Sequence, residues 1–323
     1  MRSTEERNGG GAPGAGLVYH AGGLGDFILS LPALFRAVGA GPRWGWRYWG
    51  PAERLCLLPG FSPAPAELAR SGHTLWGDSS RAEAVEALTR AGRLVAFGGR
   101  EPPPWLDLCP DALFVSSFPR PGAPVRRVPL HQKEQLDRLG VPPLRHPWLA
   151  QWRRDVLPHR SDEWLLLHPG SGDAKKNLPA NVWAAVVRGV RERARTPVVL
   201  LLGPAEEERG GWEALREVAD EVAPCGTLPG LLRLLGGARL CLGNDSGVSH
   251  LSGALGIPTV AFFGPSDPSL WRPLGAAVRI VSAVLPCAPC TAGGPIPCPA
   301  PSCLSAAAAG ELAATALSLL GIA

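Results

Sequence analysis

The sequence predicts an α/β protein of two domains, each built on a largely parallel sheet, facing one another across a cleft. Three observations carry that reading. Short apolar runs recur along the chain, most meeting a glycine turn and then a helical pattern, which is the signature of β-α alternation. The alternation starts afresh after a stretch rich in Pro, Arg and Trp between residues 142 and 162. At 323 residues the chain also exceeds the size at which single hydrophobic cores usually stop growing.

The first element is the apolar run Leu17-Val18-Tyr19-His20, which meets a glycine-rich turn and then the helical spacing Phe27, Ile28, Leu31, Leu34, Phe35, Val38. Strand-like runs follow at Trp46-Arg47-Tyr48-Trp49, Arg93-Leu94-Val95-Ala96-Phe97 and Ala112-Leu113-Phe114-Val115. The second half opens on Trp164-Leu165-Leu166-Leu167. It continues through Pro197-Val198-Val199-Leu200-Leu201-Leu202, Arg239-Leu240-Cys241-Leu242 and Thr259-Val260-Ala261-Phe262-Phe263. The boundary falls near residue 155, giving a flexible leader over residues 1–16, one domain over 17–155 and a second over 156–323. The second domain carries a Cys/Pro-rich segment at 286–303 and a terminal helix. Residues 305–323 are apolar, but Gly310 and Glu311 interrupt them, so a packed helix is expected rather than a membrane span. The leader lacks the apolar core of a secretory signal, and a cytoplasmic location is expected.

Composition narrows the function. With 40 Gly, 35 Pro and 19% charged residues, the chain reads as a globular protein of many tight turns. The formal charge of +4 is mild and nothing resembles a nucleic-acid module. Over residues 126–160, Arg127, Lys133, Arg138, Arg145, Arg153 and Arg154 outnumber Glu134, Asp137 and Asp155. That density reads either as a solvated surface or as a face for an anionic acceptor or anionic lipid headgroups.

The most informative segment is Gly243-Asn244-Asp245-Ser246-Gly247-Val248-Ser249-His250-Leu251, where a strand runs into small polar residues and then a helix. An amide-rich turn at a helix N-terminus offers free N–H groups and the positive end of the macrodipole, which suit a phosphate. Asp245 in the same turn would repel a bare phosphate. It is therefore expected to cap the helix or to hold a hydroxyl of a sugar joined to the phosphate. Gly23-Leu24-Gly25-Asp26-Phe27-Ile28 imitates a dinucleotide fingerprint and fails it, because bulky Ile28 occupies the third glycine position and Asp26 would face the pyrophosphate. An acid at the mouth of a glycine turn is better suited to removing a proton.

Four blocks now stand in order: His20-Ala21-Gly22-Gly23-Leu24-Gly25-Asp26 with Leu31-Pro32-Ala33-Leu34; His168-Pro169-Gly170-Ser171-Gly172 with Lys175-Lys176; the segment from Gly243; and Phe263-Gly264-Pro265-Ser266-Asp267-Pro268. In sequence and spacing they resemble glycosyltransferase family 9, the lipopolysaccharide heptosyltransferases. The resemblance implies a GT-B fold, with two Rossmann-like domains around a central cleft, the acceptor on the N-terminal one and the nucleotide-sugar donor on the C-terminal one. It implies inverting transfer of a sugar, heptose from ADP-heptose, to a lipopolysaccharide core or related hydroxyl. The partners it implies are an ADP-linked donor and a lipid A/core oligosaccharide acceptor, with peripheral contact at the inner face of the cytoplasmic membrane. The first block departs from the family pattern, which more often begins with a basic residue and serine, and the departure lies on the acceptor side.

In such a reaction a carboxylate beside the acceptor hydroxyl takes its proton. Asp26 is the candidate and matches the aspartate of the family's G-D motif; a helix cap is its alternative. Charge growing on the leaving diphosphate must be met by cations and aimed N–H groups. Lys176 is the catalytic candidate, with Lys175 beside it; counting back from Pro179 favours Lys176, although Leu178 stands where the family usually has tryptophan. Gly23, Gly25, Ser171, Asn244, Asp245, Ser246 and Gly247 are expected to contact substrate, as is His250, one turn beyond Ser246 on the same helix face. Glu206 or Glu207 falls where the family holds the ribose, and Glu207 is taken as the binding residue, with a solvated helix start as the alternative. The sequence has no D-x-D pattern near these blocks, so neither metal nor other cofactor is expected for the transfer.

Cys287, Cys290, Cys298 and Cys303 follow a C-x2-C-x7-C-x4-C spacing that admits a structural metal, though reduced thiols packed in a Pro-stiffened loop are the leading reading. Two other functions are weighed. A hydrolase built on Ser246 and His250 lacks the G-x-S-x-G elbow. A catalytically silent nucleotide-sugar or lipid-A-binding protein is argued against by the intact Asp26 and Lys176.

Overall fold

The computed structural model describes residues 15–39, 45–71, 81–118, 126–283, 285–291, 295–299, 301–305 and 309–322. Within them the chain forms two lobes, each a parallel sheet covered by helices. The first sheet has the order β3-β2-β1-β4-β5, with β1 at Gly16–His20, β2 at Arg47–Trp49, β3 at Ser62–Pro63, β4 at Arg93–Gly98 and β5 at Ala112–Ser116. The second has the order β11-β10-β9-β6-β7-β8, from β6 at Trp164–His168, β7 at Val198–Leu202 and β8 at Glu221–Pro224 to β9 at Ala238–Asn244, β10 at Thr259–Phe263 and β11 at Val278–Ser282. Every pairing is parallel.

The central strands are apolar throughout because both of their faces are covered, and the two-residue period of a strand sorts their side chains. In β1, Leu17 and Tyr19 enter the outer core of the first lobe while Val18 enters the core shared between lobes. In β6, Leu165 and Leu167 face the outer core of the second lobe and Leu166 faces the shared one. The strands that the sequence does not announce are β3, β8 and β11, all distant from the sheet centres. Both residues of β3 are exposed, and β8 and β11 carry Glu221 and Arg279 on solvated positions, so neither shows an unbroken apolar run.

Among the described helices, seven matter most for the packing around the site: α1 at Leu24–Gly39, α2 at Val128–Arg138, α3 at Trp148–Val156, α4 at Ala180–Arg191, α5 at Leu228–Gly236, α6 at Gly247–Leu255 and α7 at Ala309–Leu319. The terminal helix α7 packs on α4 and on the second sheet, and among the described residues no helix is long and apolar enough to cross a membrane. The lobes are fastened by an apolar seam in which Leu57 and Leu58 share one buried cluster with Leu228, Leu231 and Leu232 of α5. Helix α3 is bonded to both sides: Trp152 Nε1 donates to the Leu57 carbonyl at 2.8 Å and Arg153 Nε to the Ala254 carbonyl at 2.7 Å. Arg127 reaches the carbonyls of Arg272 and Pro273 at 3.4 and 3.5 Å. Much of the basic density over residues 126–160 is thus engaged, with Arg126 paired to Glu134 at 3.3 Å and Lys133 to Asp137 at 2.7 Å.

The lobes also approach closely between the first turns of α1 and α6. A Cβ on Gly247 would lie 2.8 Å from the Leu24 Cβ, and one on Gly25 would lie 3.1 Å from the His250 ring. Only glycine lets these two helix ends touch. Gly247→Ala is expected to destabilise the protein by roughly 1–3 kcal/mol through overpacking. Phe262→Ala, at a fully buried position of β10, is expected to lose about 3–5 kcal/mol. Urea unfolding midpoints with unchanged slopes check both values.

Candidate active site

In both sheets the first strand of the lobe lies between strands reached by crossovers in opposite directions: β1 between β2 and β4, β6 between β7 and β9. Crevices open beyond the carboxyl ends of strands at such switch points. The turns after β1, β6 and β9 therefore face one another across the cleft, and the motifs sit in those turns.

On the first lobe the β1 turn carries Asp26 into the first turn of α1, where its Oδ2 accepts the Gly23 N–H at 3.1 Å. The turn is braced from beneath by Arg54, which is only 6% exposed. Its guanidinium donates to the Gly22 carbonyl at 2.5 Å and the His20 carbonyl at 3.4 Å, and lies 5.1 Å from the centre of the Phe27 ring. Tyr48 adds a hydrogen bond to the His20 carbonyl at 3.0 Å. Burial pushes the Asp26 carboxyl above the ordinary aspartate range, opposed by the Gly23 N–H and by the nearby His250 and Lys176.

On the second lobe Lys176 Nζ binds Asp245 Oδ2 at 2.8 Å and His250 Nε2 lies 3.5 Å from Asp245 Oδ1. Burial works to raise Asp245, but its bond to His250 and the Lys176 ammonium outweigh that and hold the carboxyl well below its usual range. Ser246 caps α6, accepting the Ser249 N–H at 3.4 Å. Its hydroxyl meets His168 Nδ1 at 3.4 Å, and His168 Nε2 lies 3.8 Å from Glu206 Oε2. Glu206 also accepts the Gly203 N–H at 3.1 Å, and it fits only because residue 170 is glycine: a Cβ there would meet Oε1 at 2.0 Å. The His168 contact holds the Glu206 carboxyl below its ordinary range against the opposing effect of burial.

Gly23, Gly25, Asp26, Lys176, Asp245, Ser246, Gly247 and His250 line one cavity of about 500 Å³. A smaller cavity of about 210 Å³, bordered by His168, Gly203, Cys225, Thr227 and Leu231, meets it at Leu24, where Gly247 and Val248 divide between the two. The two cavities thus adjoin at Leu24, one on the β7–β8 side and the other at the facing Asp26 and Lys176.

Four of the expected residues are bonded within the scaffold rather than set on the cavity wall. Lys175 turns away, donating to the Ile296 carbonyl at 3.1 Å and pinning the Cys/Pro-rich segment. Ser171 Oγ is occupied inside its own turn, 2.6 Å from Asn177 Oδ1. Asn244 is fully buried, bonding the Leu178 N–H at 3.1 Å and the Pro169 carbonyl at 2.6 Å, so it ties two turns together. Glu207 points outward to Arg216 at 2.8 Å, and its neighbour Glu206 takes the inward position. Cys287, Cys290, Cys298 and Cys303 are free thiols, and among the described residues no three His, Cys, Asp or Glu side chains form a metal-holding group. The Ser246–His250 hydrolase pair is not formed, since Ser246 engages His168 while His250 faces Asp245. Residues the motifs do not reveal also line the large cavity: Phe118, Ser266, Trp271 and Thr291. Ser266 lies within the fourth quoted block, whereas Phe118 and Trp271 belong to no motif.

Residues 142–295 match the family described as glycosyltransferase family 9 (heptosyltransferase). The chain is 27% identical to lipopolysaccharide heptosyltransferase 1 of Pseudomonas aeruginosa, covering 85% of each chain. It is 34% identical to the Escherichia coli K12 enzyme of the same name over 38% of each. Among solved structures, an E. coli heptosyltransferase with ADP superposes with a TM-score of 0.61 at 21% identity, over 82% of this chain and 92% of that one. E. coli ADP-heptose lipopolysaccharide heptosyltransferase II superposes with a TM-score of 0.64 at 16% identity, over 95% and 98%. Two facing parallel-sheet lobes are the GT-B fold of these enzymes. Over residues 142–295 the chain is similar to glycosyltransferase family 9, and it is a glycosyltransferase.

Proposed function

We propose that this glycosyltransferase moves a heptose from ADP-heptose onto a hydroxyl of a lipopolysaccharide core, with inversion, at the inner face of the cytoplasmic membrane. The observation that carries the reading is the meeting of Asp26 from one lobe with Lys176, Asp245 and His250 from the other around one cavity. The donor is inferred from a structural relative, an E. coli heptosyltransferase solved with ADP and with ADP-2-deoxy-2-fluoro heptose.

In this reading the donor lies on residues 156–323 and the acceptor on residues 17–155. The nucleoside occupies the smaller cavity, with Glu206 at its ribose side. The diphosphate crosses the N-terminus of α6, whose unpaired N–H groups and dipole receive it. Lys176, oriented by Asp245, meets the charge that grows on the leaving phosphate, so the needed positive charge comes from the protein and transfer proceeds without a metal. The acceptor hydroxyl attacks the anomeric carbon from the opposite side and Asp26 takes its proton. The two carboxylates have separate tasks: Asp245 is held ionised as a structural anion, whereas burial keeps Asp26 basic enough to accept a proton.

A titration with ADP in the presence of a chelator tests the assignment. Lys176→Ala is expected to weaken ADP binding by roughly tenfold or more. Asp26→Asn should leave ADP binding within about twofold and lower kcat by about 10²–10⁴-fold. Undiminished turnover in Asp26→Asn would remove Asp26 as the base, and failure of the unaltered protein to bind ADP would remove the donor assignment. The pH profile follows from the same geometry. The base must be ionised, so kcat/KM falls as pH drops through the Asp26 pKa, and that acid limb is expected above the ordinary aspartate range. His250→Gln removes a neighbour that lowers this pKa and should move the limb further upward; a limb that stays in place contradicts the assignment.

A further inference from the structure

Phe118, just past β5, and Trp271, the last residue of the short helix Pro268–Trp271, reach toward each other from opposite lobes. Their ring centroids are 5.4 Å apart with planes at 63°, an edge-to-face contact. Both are half-buried, and both line the large cavity with Asp26 and Lys176. Neither borders the smaller cavity. The backbone on either side of the pair is tied down. Ser116 Oγ accepts the Phe118 N–H at 3.2 Å, and Asp267 caps the short helix by accepting the Ser269 N–H at 2.8 Å. Arg127 of the first lobe bonds the carbonyl of Arg272, next to Trp271, at 3.4 Å.

The order of features along the cleft gives the pair its meaning. The smaller cavity, the α6 N-terminus and the Asp26–Lys176 centre follow one another, and the aromatic pair borders only the large cavity. On the transfer reading, with the nucleoside in the smaller cavity, that end is left for the second sugar that approaches Asp26. A sugar ring presents a face of C–H groups that packs on an aromatic ring, while its hydroxyls remain at the edges for hydrogen bonding. We propose that Phe118 and Trp271 form an aromatic clamp that stacks on the ring of the acceptor sugar and aims its hydroxyl at Asp26. The inference rests on the transfer reading above for its direction, donor at one end and acceptor at the other. Because one ring comes from each lobe, the clamp is complete only when the lobes are together, which ties acceptor binding to the closed arrangement.

The test is a direct binding titration of O-deacylated lipopolysaccharide core oligosaccharide against the ADP-loaded protein, comparing the unaltered chain with Phe118→Ala, Trp271→Ala and Trp271→Phe. Either alanine is expected to weaken oligosaccharide binding by roughly five- to fiftyfold. ADP affinity and melting midpoint should stay close to those of the unaltered chain, and Trp271→Phe should recover most of the loss. Oligosaccharide binding indifferent to both rings overturns the clamp, as does a matching loss of ADP affinity. Failure of the unaltered protein to transfer sugar, with oligosaccharide binding still dependent on both rings, would defeat the transfer reading and leave the clamp standing.

Discussion

Two helices, α1 and α6, pack against each other at their N-terminal turns, and the rest of the site depends on that meeting. Both helices present the positive ends of their dipoles to one cleft, an arrangement that favours negative charge nearby. The protein supplies part of that charge itself, with Asp26 in the first turn of α1 and Asp245 immediately ahead of α6. In the proposed reaction the donor diphosphate supplies the remainder. The approach is steric as much as electrostatic, since Gly25 and Gly247 leave no Cβ to hold the helix ends apart.

The same geometry separates two aspartates that the sequence presents as chemically equivalent. Asp245 is buried and bonded to both Lys176 and His250, so its proton is lost and its orientation fixed. Among the described residues Asp26 has a single backbone N–H as its hydrogen-bond donor, and burial raises its affinity for a proton. One carboxylate is thereby suited to organising cations and the other to moving a proton, a division that arises from surroundings alone. Arg54 extends the pattern on the first lobe, spending its donors on backbone carbonyls of the turn that carries Asp26.

Much of this was legible in the sequence wherever a fully buried strand ran straight into a glycine turn. The runs at β1, β6 and β9 have apolar side chains on both faces and end in turns of glycine and small polar residues, so strand, turn and cleft position followed together. The edge strands β3, β8 and β11 were hidden because half-solvated strands carry polar residues. Within the site, residue type identified what a side chain can do but not which way it faces. Asn244, Ser171 and Lys175 have the right chemistry and are turned into the scaffold, while Glu206 rather than Glu207 faces inward because Gly170 leaves room for it. Phe118 and Trp271 were invisible for a different reason: their contact joins segments distant in sequence and exists only once the two lobes are assembled.

The account rests on one carboxylate acting as base in a single displacement across the cleft. The most direct measurement is the anomeric configuration of the sugar in the product formed from ADP-heptose, read by NMR. The account predicts a configuration opposite to that of the donor. Retention would require two displacements and a second reactive group on the donor side, where Asp245 is locked between Lys176 and His250, and it would contradict the role assigned to Asp26.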